Sequence, residues 1–392
     1  MIRKAKLSNF YSFKGEQEIN FLAKKKKSYS YYNSKTEDQV TKIAGFIGGN
    51  ASGKTNIMRF FSFLSYFVCE SSRVQPTPNL NIAFKTFFNN KKPSNFGIEF
   101  EIADNIFYYN ASIKNHTILK EALYTKKIKK AAKKIKIFLR EKDDIQELNK
   151  EYFKGFSLKF LKNIRSDVSL IAFLKAHYNI DIVNIIYNYF LGFKTNINET
   201  GEINNPHHQL ETLYMYLQDE KLKEAMEDFI SRFDIGLSGF LIEKKKIDNK
   251  LSIRVQGVHN TGEENNKINL KYESRGTQSL FFTLAKILTA LKHNNILILD
   301  EIEAGFHPEA LNKLISYFID EARDKKTQLV FSSHSLSFIN KLDMHQLFLV
   351  EKDSNSESCA YRLNQVEGIR SDENFLAKYM AGAYGAFPQI RV

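Results

Sequence analysis

The chain has 392 residues, of which 43% are apolar, and these values exclude a disordered or fibrous protein. Its longest apolar runs fall short of the roughly 20 residues that span a bilayer, and its N-terminus lacks the apolar core of a secretory signal, so a cytoplasmic protein without a membrane partner is expected. The net charge of +13 favours a polyanionic partner without choosing between nucleic acid, nucleotide and anionic lipid. The two cysteines, Cys69 and Cys359, are expected to be reduced structural thiols.

A phosphate-binding motif lies near the N-terminus, in the order strand, loop, helix. Two strands are predicted within Ile2–Phe21, and a short apolar strand over Lys42–Gly48 leads into the sequence GGNASGKTN. This loop has the spacing glycine, four residues, then glycine-lysine-threonine, and apolar residues at helical spacing follow it. We expect the loop to bind the phosphates of ATP through Gly48, Asn50, Ser52, Gly53, Lys54, Thr55 and Asn56.

The middle of the chain changes from strand-like to helical spacing. A hairpin is predicted over Phe96–Ile102 and Asn105–Ile113, and helices from Tyr124 to about Ile235. Within the helical region, Lys126–Lys142 carries nine Lys or Arg residues against one acid and predicts a basic amphipathic helix. This helix could expose a solvated face, bind a phosphate backbone or bind a membrane surface. A second cluster, Lys24–Lys27, is predicted to be a loop.

Strands return at Gly239–Glu243 and Leu251–Val255, after the helical region. We therefore predict an α/β fold with a mixed sheet core and a helical insertion. Residues 1–124 and 237–392 would form the two parts of one nucleotide-binding domain, and residues 125–236 the insertion that packs against it.

The last third of the chain supplies the acidic residues. The sequence NILILDE, Asn295–Glu301, predicts a buried strand that ends in two carboxylates, which is the Walker B pattern. Asp300 is expected to hold Mg²⁺ through water, with Thr55 as a direct ligand of the same ion and Lys54 at the β- and γ-phosphates. Glu301 is then expected to orient and deprotonate the attacking water.

Two further motifs flank the acidic pair. ESRGTQSL begins a predicted helix, where Ser274 and Gly276 offer a hydroxyl and an amide to a phosphate, or Ser274 simply caps the helix. The motif resembles an ABC signature at the usual distance from Walker B. The buried strand in QLVFSSHS delivers His334 to the ligand-binding end of a parallel sheet, as a switch histidine would be. His307, at the D-loop position, could contact a partner subunit or start a helix.

These motifs together resemble one family along nearly the whole chain. The motifs are NFYSF, GGNASGKTN, PSNFGIEFEI followed by LKEALY, ESRGTQSL, ILILDEIEAGFHP, VFSSHS and the ending YMAGAYGAFPQI. The chain is similar to the OLD-like, SMC/RecF-related ABC-type ATPases of bacterial anti-phage and abortive-infection systems, specifically the RloA/AbiL type without an attached nuclease. The helical insertion and the partner-facing surfaces resemble those of the family only in their general type.

The resemblance implies a site shared between two copies. In ABC-type sites the signature of one subunit closes over the nucleotide held by the phosphate loop of another. This chain has one loop and one signature, so ATP would join two copies, as a dimer or higher oligomer, and hydrolysis would release them. The resemblance also implies a separately encoded effector, often a nuclease, for which the chain would be an ATP-driven sensor, scaffold or restraint.

Several departures and alternatives accompany this resemblance. Ser335 follows His334 where the family often has Asp, Gly305 replaces a small hydroxyl residue of the D-loop, and Gln75 is a poor candidate for the Q-loop glutamine. The main alternative function is an ATP-dependent DNA-binding repair factor of the RecF/SMC type. An intrinsic nuclease is disfavoured because LFLVEKD, Leu347–Asp353, is not followed by an Asp-x-Asp, and two-metal chemistry needs further carboxylates. A transporter ATPase is disfavoured by the long basic insertion.

Overall fold

The computed structural model describes residues 1–24, 28–73, 82, 84–129, 132–161, 164–198, 206–232, 236–247, 250–260, 265–305 and 307–387. Its strands are β1 (Ile2–Ser8), β2 (Gln17–Asn20), β3 (Leu22–Ala23), β4 (Tyr31–Asn33), β5 (Gln39–Thr41), β6 (Ile43–Ile47), β7 (Ser94–Ile102), β8 (Asn105–Lys114), β9 (Thr117–Lys127), β10 (Ile135–Glu141), β11 (Asp144–Leu148), β12 (Phe193–Thr195), β13 (Leu237–Ile247), β14 (Lys250–Asn260), β15 (Asn265–Asn269), β16 (Ile296–Leu299), β17 (Gln328–Ser332), β18 (Leu347–Lys352) and β19 (Ser358–Arg362). Its α-helices are α1 (Lys54–Cys69), α2 (Leu170–His177), α3 (Asp181–Leu191), α4 (Pro206–Gln218), α5 (Glu220–Ser231), α6 (Arg275–His293), α7 (Pro308–Glu321) and α8 (Phe375–Met380).

A six-stranded mixed sheet carries the phosphate loop and the acidic motif. Its order is β12-β16-β17-β6-β18-β19, in which only the last pairing is antiparallel. Every residue of β6, β16 and β17 is buried, which explains why these strands are mainly apolar. The carboxyl ends of these parallel strands share one edge of the sheet, and that edge is where such sheets bind ligands.

Helices cover both faces of this central sheet. Because successive strand residues point to opposite faces, Ala44 and Phe46 of β6 pack with α1, whereas Ile43 and Ile47 pack with α6 and α7. The strand predicted over Lys42–Gly48 and the helix after the loop are therefore confirmed. The predicted apolar face of that helix is also confirmed, since all five of its members are buried: Ile57, Phe60, Phe61, Leu64 and Phe67.

A second sheet packs on the other side of α1. It has seven antiparallel strands in the order β11-β10-β9-β8-β7-β1-β2. Phe10, from the turn NFYSF, contacts Phe60 and Phe63 of α1 with ring centroids 6.3 and 6.2 Å apart. The predicted strands within Ile2–Phe21 and the hairpin β7-β8 are both present. The helix that begins at the phosphate loop is thus enclosed between two sheets.

The predicted basic helix over Lys126–Lys142 is wrong. The segment forms the end of β9, a connection that includes the undescribed residues 130 and 131, and β10. β10 pairs with β9, from Ile135 opposite Thr125 to Glu141 opposite Lys120. Pairing with an existing sheet edge satisfies the backbone and buries Ile137 and Phe138, so tertiary contacts override a local spacing that also fits a helix.

The predicted helical region from Tyr124 to Ile235 is consequently helical only in its later part. Strands continue to Leu148 at the end of β11, and helices occupy the region from α2 to α5. β12, which lies between α3 and α4 in the chain, joins the central sheet beside β16. The domain division at residues 124 and 236 remains a prediction. Lys25–Lys27 of the second basic cluster lies outside the described residues.

The remaining predicted elements are present. β13 and β14 form the hairpin expected around Gly239–Glu243 and Leu251–Val255. Helices α4 and α5 pack into the same core as α6, through buried residues such as Leu213 and Met226. None of the helices in the described ranges is both long enough and apolar enough to cross a lipid bilayer.

A fully buried charged group holds the second sheet to α2. Glu121 accepts hydrogen bonds from the Tyr109 hydroxyl (2.8 Å), the Ser169 hydroxyl (2.8 Å) and the Leu170 amide (2.9 Å). The Arg140 guanidinium lies 3.8 Å from the other side of this carboxylate and donates to three backbone carbonyls. Because every buried donor has a partner, the network fixes the start of α2 against β9 and β10.

We predict that Glu121→Ala lowers the free energy of unfolding by about 3–5 kcal/mol, because it leaves Arg140 and three donors without their buried acceptor. Urea unfolding followed by circular dichroism measures the change. The matched control is Glu141→Ala, whose carboxylate is about half exposed and pairs with Lys120 at 3.2 Å. It should cost less than about 1 kcal/mol. Equal losses in the two variants would contradict the assigned role of the network.

Candidate functional site

The phosphate loop connects β6 to α1 and depends on two glycines. Gly48 has a φ of +154°, and a Cβ on it would lie 2.0 Å from the carbonyl oxygen of Val350 in β18. Gly53 has a φ of +119°, and its Cβ would lie 2.6 Å from the hydroxyl of Ser358. That hydroxyl donates to the carbonyl of Ser52 at 2.6 Å. Only glycine fits at both positions, so the loop lies directly against the neighbouring strands.

Lys54 lies where the loop and the acidic motif meet. Its ammonium donates to the carbonyls of Gly48 (2.8 Å) and Gly49 (3.0 Å), so the side chain folds back over the loop. Burial lowers the pKa of Lys54 from its ordinary value, and the charges of Asp300, Glu301 and Glu303 oppose that shift. The only buried ammonium of the loop thus interacts electrostatically with the acids that follow β16.

The other predicted phosphate ligands have different surroundings. Asn50 is exposed and Thr55 is half-buried at the start of α1. The Ser52 hydroxyl is buried and has no hydrogen-bond partner among the described residues. The Asn56 amide donates to the hydroxyl of Ser12 at 2.8 Å, which ties α1 to the turn NFYSF. No side chain caps α1, whose N-cap is a glycine, and an uncapped helix N-terminus suits a phosphate.

The acidic pair follows β16 and is fixed from both neighbouring strands. The backbone N–H and C=O of Asp300 exchange hydrogen bonds of 2.8 Å with the side chain of Asn196, just after β12. On the other side, the Ser332 hydroxyl at the end of β17 donates to the Asp300 carboxylate and accepts from the Glu301 amide at 2.9 Å. Asp300 is therefore held in place, while the Glu301 side chain is exposed.

His334 lies beside this pair, as the sequence predicts. It follows β17, and its Nε2 lies 3.6 Å from Oε1 of Glu301. The backbone amides of His334 and Ser335 both donate to one oxygen of Glu303. The sheet thus brings together Lys54 and the three residues Asp300, Glu301 and His334 at one edge.

Sequence reasoning missed four residues of this site. Ser332 could have been found, because a hydroxyl at the end of a buried strand beside Walker B has few other roles. Glu303 could also have been found, because it lies close to the Walker B acids in the sequence. Asn196 and Ser358 carry no local signal, since their contacts depend on strands that pair far apart in the sequence.

The residues present fit a magnesium ion. Mg²⁺ takes few protein ligands and keeps several waters, and it prefers hard oxygen donors. Thr55 and Asp300 offer a hydroxyl and a carboxylate and would hold the ion, which would neutralise phosphate charge during phosphoryl transfer. Within the described ranges, groups of three or more His, Cys, Asp or Glu that could hold a metal do not occur.

The predicted signature lies at the start of α6. Ser274 is the N-cap residue, with its hydroxyl accepting from the Thr277 amide at 3.1 Å, and it is exposed. A Cβ on Gly276 would lie 2.4 Å from the carbonyl oxygen of Gly305, so α6 packs directly on the segment after the acidic pair. Among the described residues, the side-chain hydrogen bonds of Ser274 stay within α6 and do not reach the phosphate loop.

The N-cap interpretation of Ser274 is therefore confirmed, and a phosphate-binding role remains a prediction. His307 likewise caps a helix, since its Nδ1 accepts from the Glu309 amide at 3.3 Å in α7. This confirms the helix-start interpretation of His307, and its predicted contact with a partner subunit is untested. Gln75, the poor Q-loop candidate, lies outside the described residues.

We predict that Gly48→Ala weakens ATP binding at least about tenfold, because the methyl group would overlap the carbonyl oxygen of Val350 and displace the loop. Isothermal titration calorimetry measures the affinity. Gly368→Ala is the matched control: Gly368 also has a positive φ, of +75°, but nothing lies within 4 Å of its Cβ position. The control should bind ATP as the wild type does. Unchanged affinity in Gly48→Ala would count against the described loop geometry.

Solved structures with a similar fold are SMC head domains. The crystal structure of the SmcHead bound to the C-winged helix domain of ScpA has a TM-score of 0.53 and 12% identity, and covers 93% of this chain and 99% of that chain. The SMC head domain from Thermotoga maritima has a TM-score of 0.43, 14% identity and coverages of 92% and 98%. The Smc head domain with an extended coiled coil, bound to the C-terminal domain of ScpA derived from Pyrococcus furiosus, has a TM-score of 0.45 and 12% identity. It covers 93% of this chain and 97% of that chain.

The first of these likenesses confirms the expected fold, an ABC-type P-loop NTPase, and at this identity it shows the fold alone. No curated protein matches the chain. A family model described as "AAA domain, putative AbiEii toxin, Type IV TA system" matches residues 43–340, which contain the loop, the acidic pair and His334. The chain therefore belongs to this AAA-domain family and is a P-loop ATPase.

Proposed function

We propose that this ATPase closes on a second copy of itself around ATP, and that it acts as a sensor or scaffold for a separately encoded effector in bacterial anti-phage defence, as an OLD-like protein of the RloA/AbiL type. The observation that carries the proposal is the exposed start of α6. Ser274 has the position of a signature serine, yet its contacts lie within its own helix. A second copy could use it to complete the phosphate site.

Each step of hydrolysis has a residue suited to it. Lys54 would leave its two carbonyl partners to meet the β- and γ-phosphates, which offer a stronger charge-assisted hydrogen bond. Glu301, exposed at the edge of the sheet, would accept a proton from the attacking water. His334, whose Nε2 lies 3.6 Å from Oε1 of Glu301, would contact the γ-phosphate. Thr55 and Asp300 would hold the Mg²⁺ ion.

The role in defence has separate support. The family description names a putative AbiEii toxin and a type IV toxin–antitoxin system, which agrees with an abortive-infection role. The SmcHead of similar fold is bound to a domain of another protein, ScpA, so this fold can present a surface to a non-identical partner. We propose that the effector, such as a nuclease, binds the outer surface of an ATP-closed dimer in the cytoplasm. The identity of the neighbouring gene product tests this part of the proposal directly.

We predict that Glu301→Gln retains ATP and accumulates as a closed dimer, because the site can still bind the triphosphate but lacks its base. Lys54→Ala should bind no ATP and stay monomeric. Sedimentation velocity of both variants, with and without ATP, measures the difference. Superimposable profiles for the two variants in the presence of ATP would refute the clamp.

A mixing experiment tests the shared site itself. Ser274→Arg adds a bulky charge at an exposed position, so the fold should be retained while closure over a partner's nucleotide is blocked. Lys54→Ala and Ser274→Arg should each lack ATPase activity. Their mixture should recover part of it, because one heterodimer site then combines an intact loop with an intact signature. A mixture without activity would favour a site completed within one chain.

The basic hairpin tip favours a second candidate function, an ATP-dependent DNA-binding repair factor of the RecF/SMC type. The connection between β9 and β10 exposes lysines, among them Lys127, Lys129 and Lys133, without a nearby acid in the sequence. Exposed lysines clustered in this way suit a phosphate backbone. Lys134 is not available in the same way, because its ammonium lies 3.9 Å from the centre of the Tyr108 ring.

This second candidate makes its own prediction. Changing Lys129 and Lys133 together to Glu should weaken binding of a short duplex at least about tenfold, since it replaces two phosphate-neutralising charges with repulsive ones. Fluorescence anisotropy at fixed salt measures the affinity. The matched control changes the exposed pair Lys91 and Lys92 to Glu, away from the hairpin. Equal affinities for the two double variants would remove the support for DNA binding.

A further inference from the structure

Glu303 connects the segment after the acidic pair to the loop that carries His334. Its Oε1 accepts the backbone N–H of His334 and the backbone N–H of Ser335, the latter at 3.1 Å. One carboxylate oxygen therefore holds two consecutive amides of the loop after β17. Hydrogen bonds from N–H groups to an ionised oxygen are roughly twice as strong as neutral ones.

This contact determines where the histidine ring can lie. The His334 side chain is 40% exposed, and the ion-pair contact that its ring makes among the described residues is with Glu301, at 3.6 Å. A half-exposed ring with so few contacts is oriented mainly by its backbone. The backbone of His334, in turn, is held by Glu303 rather than by the strand ladder, which ends at Ser332.

The second oxygen of Glu303 indicates that the contact does more than stabilise the loop. Oε2 is buried and accepts no hydrogen bond within the described part of the chain. A buried carboxylate oxygen without a donor costs free energy, so an arrangement selected for stability alone would not favour it. The charge of Glu303 also raises the pKa of Lys54, against the larger lowering by burial, so this carboxylate interacts electrostatically with the phosphate loop.

We propose that Glu303 is a positioning residue for ATP hydrolysis. It acts through the two amides, which hold His334 next to Glu301 while both face the γ-phosphate. The inference rests on the roles proposed above for Glu301 and His334. It assigns Glu303 no contact with the nucleotide, and its effect should fall on the rate of the chemical step rather than on ATP binding.

The test compares Glu303→Ala with Glu303→Gln. The alanine variant loses the acceptor, so kcat should fall about 10- to 100-fold while KM and the Kd for ATP stay within about twofold. The glutamine variant keeps an oxygen that can accept both amides and should retain kcat within about fivefold. Glu309→Ala, an exposed acid in the first turn of α7, is the matched control and should behave as the wild type does.

A double variant separates positioning from a general loss of structure. If Glu303 acts through His334, then adding His334→Ala to Glu303→Ala should lower kcat little further. Unchanged kcat in Glu303→Ala, or equal losses in the alanine and glutamine variants, would overturn the inference. If Glu301→Gln and His334→Ala themselves leave kcat unchanged, the proposed function fails first, and that result is distinct from the failure of Glu303 alone.

Discussion

The parallel pairing of β16, β17 and β6 is the constraint on which the rest of this structure depends. Their registers place Leu299 opposite Phe331 and Ser332 opposite Phe46, so the three strands end within a residue or two of one another. The phosphate loop, the acidic pair and His334 all follow the ends of these strands. Residues almost 300 positions apart in the chain thereby share one site, because the loops that follow these strands begin close together.

Close backbone contacts then hold the loops that extend from this edge. Gly48 lies against Val350, and Gly276 lies against Gly305, each at a distance that excludes a side chain. Such contacts transmit displacement directly, because no flexible side chain lies between the two backbones. The segment after the acidic pair therefore touches the start of α6 through Gly305 and the loop of His334 through Glu303. This connection joins the loop of His334 to the exposed start of α6.

The second sheet contributes aromatic residues to the core around α1 and exposed lysines at one of its connections. Phenylalanines from both sheets enclose α1, which supports the phosphate loop at its N-terminus. At the end of β9 and in the described part of its connection to β10, Lys127, Lys129 and Lys133 are exposed, and Lys134 is held over the rings of Tyr108 and Tyr124.

The sequence by itself determined the local elements of the candidate site, which are the loop before α1, the acids after β16 and the histidine after β17, and it also identified the serine that caps α6. Each could be predicted from the spacing of neighbouring residues, because a motif that lies between a strand and a helix has few possible roles. Only the tertiary structure decided that Lys126–Lys142 contains paired strands and that Asn196 and Ser358 contact the acidic pair and the phosphate loop. Sheet pairing and buried hydrogen bonds join residues that local periodicity cannot relate, so no window of the sequence contains that information.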